Sequence, residues 1–194
     1  MDILDKQVEN RARYIETQLQ QAQDLTGLSS FINDTARQML DEGTISLDTL
    51  DSTGGESLPL LEAAAPRLLK ALRAKQVSGV FLILNTHDFT GRTSGDRLPC
   101  VYLRDLDPEA APSADNSDVM FERAPAELVQ AFGITTDKAW TPAQQYLDGE
   151  EDAFYVRPFQ AAYESGEQTG AAADYGRWTT LPYTLLGDDR EAIA

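Results

Sequence analysis

Six residues have the types that a small-molecule site needs: Tyr102 and Arg104, Tyr155 and Arg157, Trp178 and Tyr183. In the run Cys100-Val-Tyr-Leu-Arg104, strand alternation points Val101 and Leu103 one way and Tyr102 and Arg104 the other. An aromatic ring and a guanidinium on one sheet face can line a pocket for an anionic or polar ligand. The same pair also suits an exposed face on which the Arg stem covers the Tyr ring. Arg157, with Tyr155 two residues before it in Phe154-Tyr-Val-Arg-Pro-Phe159, reads equally as a pocket cation and as a group that closes a helix or pairs with a carboxylate. Trp178 and Tyr183 stand in an aromatic-rich stretch just before Gly187-Asp188-Asp189 and read as a pocket wall or as core. Together the six supply flat apolar surface and two cationic forks, which suits a small partner of organic acid or amine type.

Other chemistries find less support. His87-Asp88 with Ser94 has the residue types of a hydrolytic triad, but these are near neighbours in a polar loop, and no Gly-x-Ser-x-Gly turn accompanies them. "GRTSGD" lacks the Gly-Lys-Ser/Thr ending of a phosphate loop. One histidine and one cysteine cannot assemble a zinc site of His and Cys ligands, and Cys100 has no intramolecular disulfide partner. The acidic stretch from Asp105 to Asp118 lacks the mid-loop Gly and terminal Glu of a calcium-binding EF-hand. The expectation is therefore a binding protein without catalysis, metal or cofactor. A formal net charge of −16 argues against nucleic acid, whose affinity comes largely from Lys and Arg.

The elements that position these residues follow from composition and period. Hydrophobic residues are 42% of the 194 and charged ones 25%, as in a soluble globular protein. The first forty residues read as helix. Val8, Ala12, Ile15, Leu19 and Ala22 form a narrow, heptad-like seam, which either lies along its own domain or pairs with a second copy to make a homodimer. Gly27 interrupts, and Phe31, Ala36, Met39 and Leu40 suggest a second helix ending at Gly43. Residues 1–50 are thus expected to form a stalk-like helical part that packs on the sheet, and residues 51–194 the main module. Ser57 caps a third helix with Leu61, Ala65, Leu68, Leu69 and Leu72 on one face. Val80 to Leu84 is an unbroken apolar run, the candidate central strand, with Cys100–Arg104 its partner across a long polar loop. Ala126–Phe132 is a short helix stopped by Gly133. The run from Phe154 reads as a strand or turn feeding a helix closed by Gly166, with Pro158 early in it. Trp178–Leu186 reads as a strand whose return begins at Glu191.

The order of the stretches "SGVFLILNT", "VYLRDLDP", "FYVRPFQAA" and "YGRWTTLPYTLLGDDREAIA" resembles the membrane-distal module of the double Cache family. The resemblance implies an α+β, PAS-like fold: a central antiparallel sheet with a long N-terminal helix and flanking helices. It further implies the sensory ectodomain of a bacterial membrane receptor, on the extracellular or periplasmic face, whose output is a histidine kinase, a cyclase, a chemoreceptor or a transcription regulator. The beginning at Met1-Asp2 and the end within a strand then read as trimmed edges of a longer protein. In amino-acid-binding members, Arg157 and Tyr183 have counterparts. Asp152, Phe159, Gln160 and Leu185 stand where Tyr, Trp, Tyr and Asp occur, so the natural partner of an α-ammonium is missing and an ordinary amino acid fits poorly.

Overall fold

The computed structural model describes residues 3–147, 153–166, 179, 182–184 and 191–192. Helix α1 (Ile3–Gln23) and helix α2 (Thr26–Asp41) are followed by α3 (Leu58–Lys75) and strands β1 (Gly79–Ile83), β2 (Arg97–Leu98), β3 (Cys100–Asp105) and β4 (Val119–Arg123). Then come α4 (Ala126–Phe132), β5 (Thr135–Thr141), β6 (Gln144–Gln145), α5 (Ala153–Ser165), β7 (Tyr183–Thr184) and β8 (Glu191–Ala192). The protein is α+β.

The principal sheet has the order β1-β3-β4-β5. β3 runs antiparallel to both β1 and β4, whereas β5 lies parallel to β4, with α4 as the crossover between them. The sheet is therefore mixed, where the resemblance implies antiparallel pairing throughout. Among the described residues β1 is an edge strand and not the centre, because β3 and β4 occupy the middle positions. The chain's last strands do pair with each other, Tyr183 opposite Ala192 and Thr184 opposite Glu191, as a separate two-stranded unit.

α3 covers one face of the sheet. Leu60, Leu61, Ala64, Ala65, Leu68 and Leu72 recur at helical spacing and are buried, and they pack on Val80, Val101, Leu103, Val119 and Phe121. Burying each large side chain is worth about 1.5–3 kcal/mol. This filled layer is the main core. α2 adds Leu28, Ile32, Ala36, Met39 and Leu40 to its margin. Ser57 does occupy the cap position of α3, but its hydroxyl makes no cap hydrogen bond. Gly133 ends α4 in the left-handed conformation at φ 61° and donates to Val129 O, as an αL cap requires.

α1 stands apart. Every side chain from Ile3 to Gln18 is exposed, including Val8 at 62% and Ile15 at 46%. The first three residues of its apolar seam thus pack on nothing among the described residues, whereas Leu19 and Ala22 at its end are half-buried. No helix among the described residues is long and apolar enough to cross a membrane.

At the end of α3, Arg73 reaches across to the connection between β3 and β4. It donates to both carboxylate oxygens of Asp118 and to Asn116 Oδ1, and it lies 3.6 Å from Asp105. The hydrogen bonds from Arg73 hold the Asp118 carboxyl well below its usual pKa. A depressed folded-state pKa contributes stability above the unfolded value of about 4 and loses it as pH falls through the folded one. Asp118→Asn is expected to lower stability by about 1–3 kcal/mol at pH 7. Urea titrations of the variant and the wild type should converge as the pH falls below about 4. Removing residues 1–23 should leave the melting midpoint within about 2 °C of the full chain in calorimetry, because α1 contributes little buried surface.

Candidate functional site

The face of the sheet turned away from α3 has a different composition. Strand alternation sends Val80 and Leu82 toward α3 and leaves Phe81 and Ile83 on this inner face. Register then carries Ile83 to Cys100 and Phe81 to Tyr102. Between β3 and β4 the register shifts: Leu103 faces Phe121, but Tyr102 faces Arg123. Glu122 is thus the extra residue of a β-bulge, a device that re-aims side chains and recurs beside functional sites. Both Glu122 and Arg123 end up with Tyr102 and Arg104.

Arg104 and Glu122 meet in a buried ion pair, Nη1 to Oε1 at 2.9 Å, with side chains 4% and 1% exposed. Burial pushes the Glu122 carboxyl upward in pKa, against the pull of Arg104. Cys100, on the same face, is pushed up to about 12 by burial and is a neutral thiol. Tyr102 lies over Gly79: a Cβ at that glycine would stand 2.9 Å from the tyrosine ring. The small residue seats the ring, which then meets Phe81 edge-on at 5.9 Å.

α5 and the connection between β1 and β2 complete the enclosure. The whole segment Ala153–Ser165 is helix, with Pro158 inside it, not a strand entering a helix at the proline. Its Phe154 meets Phe81 at 5.2 Å and its Phe159 meets Phe89 at 5.1 Å, both edge-on, while Tyr155 is buried in the same cluster. Phe89 also stacks on Tyr146 at 5.4 Å. These rings leave a recess of about 260 Å³ among Phe81, Ile83, Asn85, Phe89, Tyr155 and Phe159. Asn85 is the polar group at its rim.

That rim is pinned to the body through Asp51. Arg92 donates to Asp51 Oδ2 at 2.6 Å and also to Asn85 Oδ1, and His87 Nδ1 lies 3.1 Å from the same Asp51 oxygen. Burial tends to raise the Asp51 pKa, but hydrogen bonds from His87 and Thr86, with the Arg92 charge, hold it below the usual carboxylate value. His87 is thereby engaged with Asp51 and Thr86, and Asp88 accepts from the backbone of Thr90. Among the described residues no hydrogen bond joins Ser94 to His87 or Asp88. Among the described residues no three His, Cys, Asp or Glu side chains stand together as metal ligands.

The structure brings Tyr102, Arg104 and Tyr155 to the inner face. Arg104 is not an exposed cover for Tyr102: it is buried and paired with Glu122. Arg157 lies on the exposed side of α5. Trp178 and the Tyr183 side chain lie outside the described residues, although the backbone of Tyr183 is paired in β7. Sequence reasoning missed Phe81, Phe89, Glu122 and Arg123. For Glu122 the signal was slight: it is the polar residue directly after the apolar run Val119-Met-Phe121. Comparisons with protein-family models, with curated proteins and with solved structures find no match.

Two substitutions test this geometry. Arg104→Met or Glu122→Leu alone should cost about 3–5 kcal/mol, because each strands a buried charge, and the double variant should cost much less than their sum. Chemical denaturation of the four proteins reads the cycle. Gly79→Ala should lower stability by about 1–3 kcal/mol and perturb the Tyr102 ring resonances, as overpacking forces the ring from its seat.

Proposed function

We propose that this chain is the ligand-sensing part of a bacterial membrane receptor, with a PAS-like Cache fold held on the extracellular or periplasmic side, and that it binds a small polar molecule on the inner face of its sheet. One observation carries the reading: the two faces of the sheet are built for different ends. The α3 face is a filled apolar core, whereas the inner face has an aromatic recess with Asn85 at its rim and, outside that lining, buried ionic groups on the same side of the sheet. That combination is what a ligand site needs, apolar surface for affinity with a few fixed polar groups for orientation. The long projecting helix before the sheet, and the paired strands at the other end of the sequence, agree with the resemblance in order. The parallel pairing of β4 with β5 is a departure from it.

Sensing then works by population shift. A ligand that prefers one closure of α5 and the Asn85 rim over the sheet biases that closure, and only by its differential affinity for it. The signal leaves through α1 or through the paired strands toward a kinase, cyclase or chemoreceptor output. No catalytic step belongs to this reading.

The exposed seam of α1 supports a second reading, an assembly module that dimerises without a ligand. A thermal-shift screen of organic acids, amines, amino acids and purines separates the two. The sensing reading expects at least one compound to raise the midpoint by about 5–10 °C at a hundred times its Kd. If no compound moves the midpoint while light scattering gives a dimer that Val8→Asp/Ile15→Asp splits, the assembly reading replaces it.

A further inference from the structure

Four charged side chains are buried among the described residues: Arg104, Asp105, Glu122 and Arg123. Arg104 and Glu122 pair with each other, and Asp105 faces Arg73 at 3.6 Å. Arg123 alone of the four forms no ion pair among the described residues, although it is only 8% exposed. Its Nη1 donates to two backbone carbonyls, Glu122 O at 2.7 Å and Ala139 O at 3.3 Å. Nε and Nη2 have no acceptor among those residues. Neither nitrogen is sealed from solvent, so this edge of an otherwise buried guanidinium is open to an incoming acceptor.

We propose that Arg123 is the anion-binding residue of the inner face, and that its free Nε and Nη2 edge takes the carboxylate of a small organic acid. The proposal rests on the sensing reading above and names the ligand class for that same face. Position supports it. The bulge at Glu122 sets Arg123 opposite Tyr102, which in turn faces Phe81 at the wall of the recess, so one cross-strand row runs from apolar wall to cation. Nearby carboxylates disfavour a more highly charged anion: Glu122 pairs with Arg104, and Asp137 lies close enough to oppose the ionisation of Glu122. A phosphate dianion would leave an excess negative charge next to Glu122. The Nε and Nη2 edge matches a carboxylate with two parallel hydrogen bonds, a geometry that lysine cannot supply.

A merely structural Arg123 would tie β4 to β5 through the Ala139 carbonyl and would ignore added acids. The test titrates the full chain, labelled with nitrogen-15 arginine, with acetate, benzoate and 4-phenylbutyrate at constant ionic strength, using acetamide and benzamide as neutral controls. At least one acid should move the Arg123 Nε–H resonance and raise the melting midpoint, and the amides should do neither. Arg123→Gln should abolish the midpoint shift, and Arg123→Lys should weaken binding at least about tenfold through loss of the paired hydrogen bonds. The resonance is read in the wild type, so the test stands even where a variant fails to fold. If compounds bind while the Arg123 resonance stays still and Arg123→Gln binds equally well, the assignment to Arg123 falls and the sensing reading survives. If neither these acids nor any compound of the wider screen binds, both fall.

Discussion

The buried pair of Arg104 and Glu122 is the constraint around which the inner face is organised. Two charges withdrawn from water are tolerated only when each completes the other, so the pair fixes which side of the sheet β3 and β4 present to α3. A slip of β3 by one residue would drive Arg104 into the Leu60–Leu72 layer and turn Leu103 away from it. The bulge that admits Glu122 also swings Arg123 beside Tyr102. One irregularity in the pairing thus creates both the neutralised pair and the cation left over.

The two faces divide the work of the fold. Toward α3 the sheet buries a continuous aliphatic layer, and this supplies most of the stability. Away from α3, aromatic side chains from β1, α5 and the connection after β1 meet mainly edge-on and leave space between them. Polar clusters at the margins hold these layers in place: Asp51 and Arg92 fasten the rim of the recess, and Arg73 with Asp118 fastens the acidic connection to α3. The aromatic cluster of α5 and the rim is separate from the aliphatic core on the α3 face.

Much of this was legible in the sequence where local pattern and tertiary role agree. α3, the antiparallel pair of β1 and β3, α4 with its glycine stop, and the pairing of Tyr183–Thr184 with Glu191–Ala192 all follow from period and turn chemistry. β4 and β5 were not read. Val-Met-Phe-Glu-Arg ends in two charges that look like solvent-facing residues until Arg104 is found to pair with Glu122, and Thr-Thr-Asp-Lys-Ala-Trp-Thr is, among the described residues, an edge strand with little apolar signal. α5 was read as starting near its proline, whereas packing of Phe154 and Tyr155 extends the helix upstream of it. Tyr102 and Arg104 were placed on one face from spacing alone, but the partner that neutralises Arg104 lies eighteen residues away on another strand.

The central claim is that small molecules are received on the inner face between the sheet and α5. A chemical-shift map of aromatic and methyl groups, recorded while the chain is titrated with mixtures of small acids and amines, tests it most directly. The account predicts changes concentrated at Phe81, Ile83, Tyr102, Phe154 and Phe159, with Leu61, Leu68 and Val101 unmoved. Changes centred on the α3 layer or on the exposed seam of α1, with the inner face silent, would contradict it.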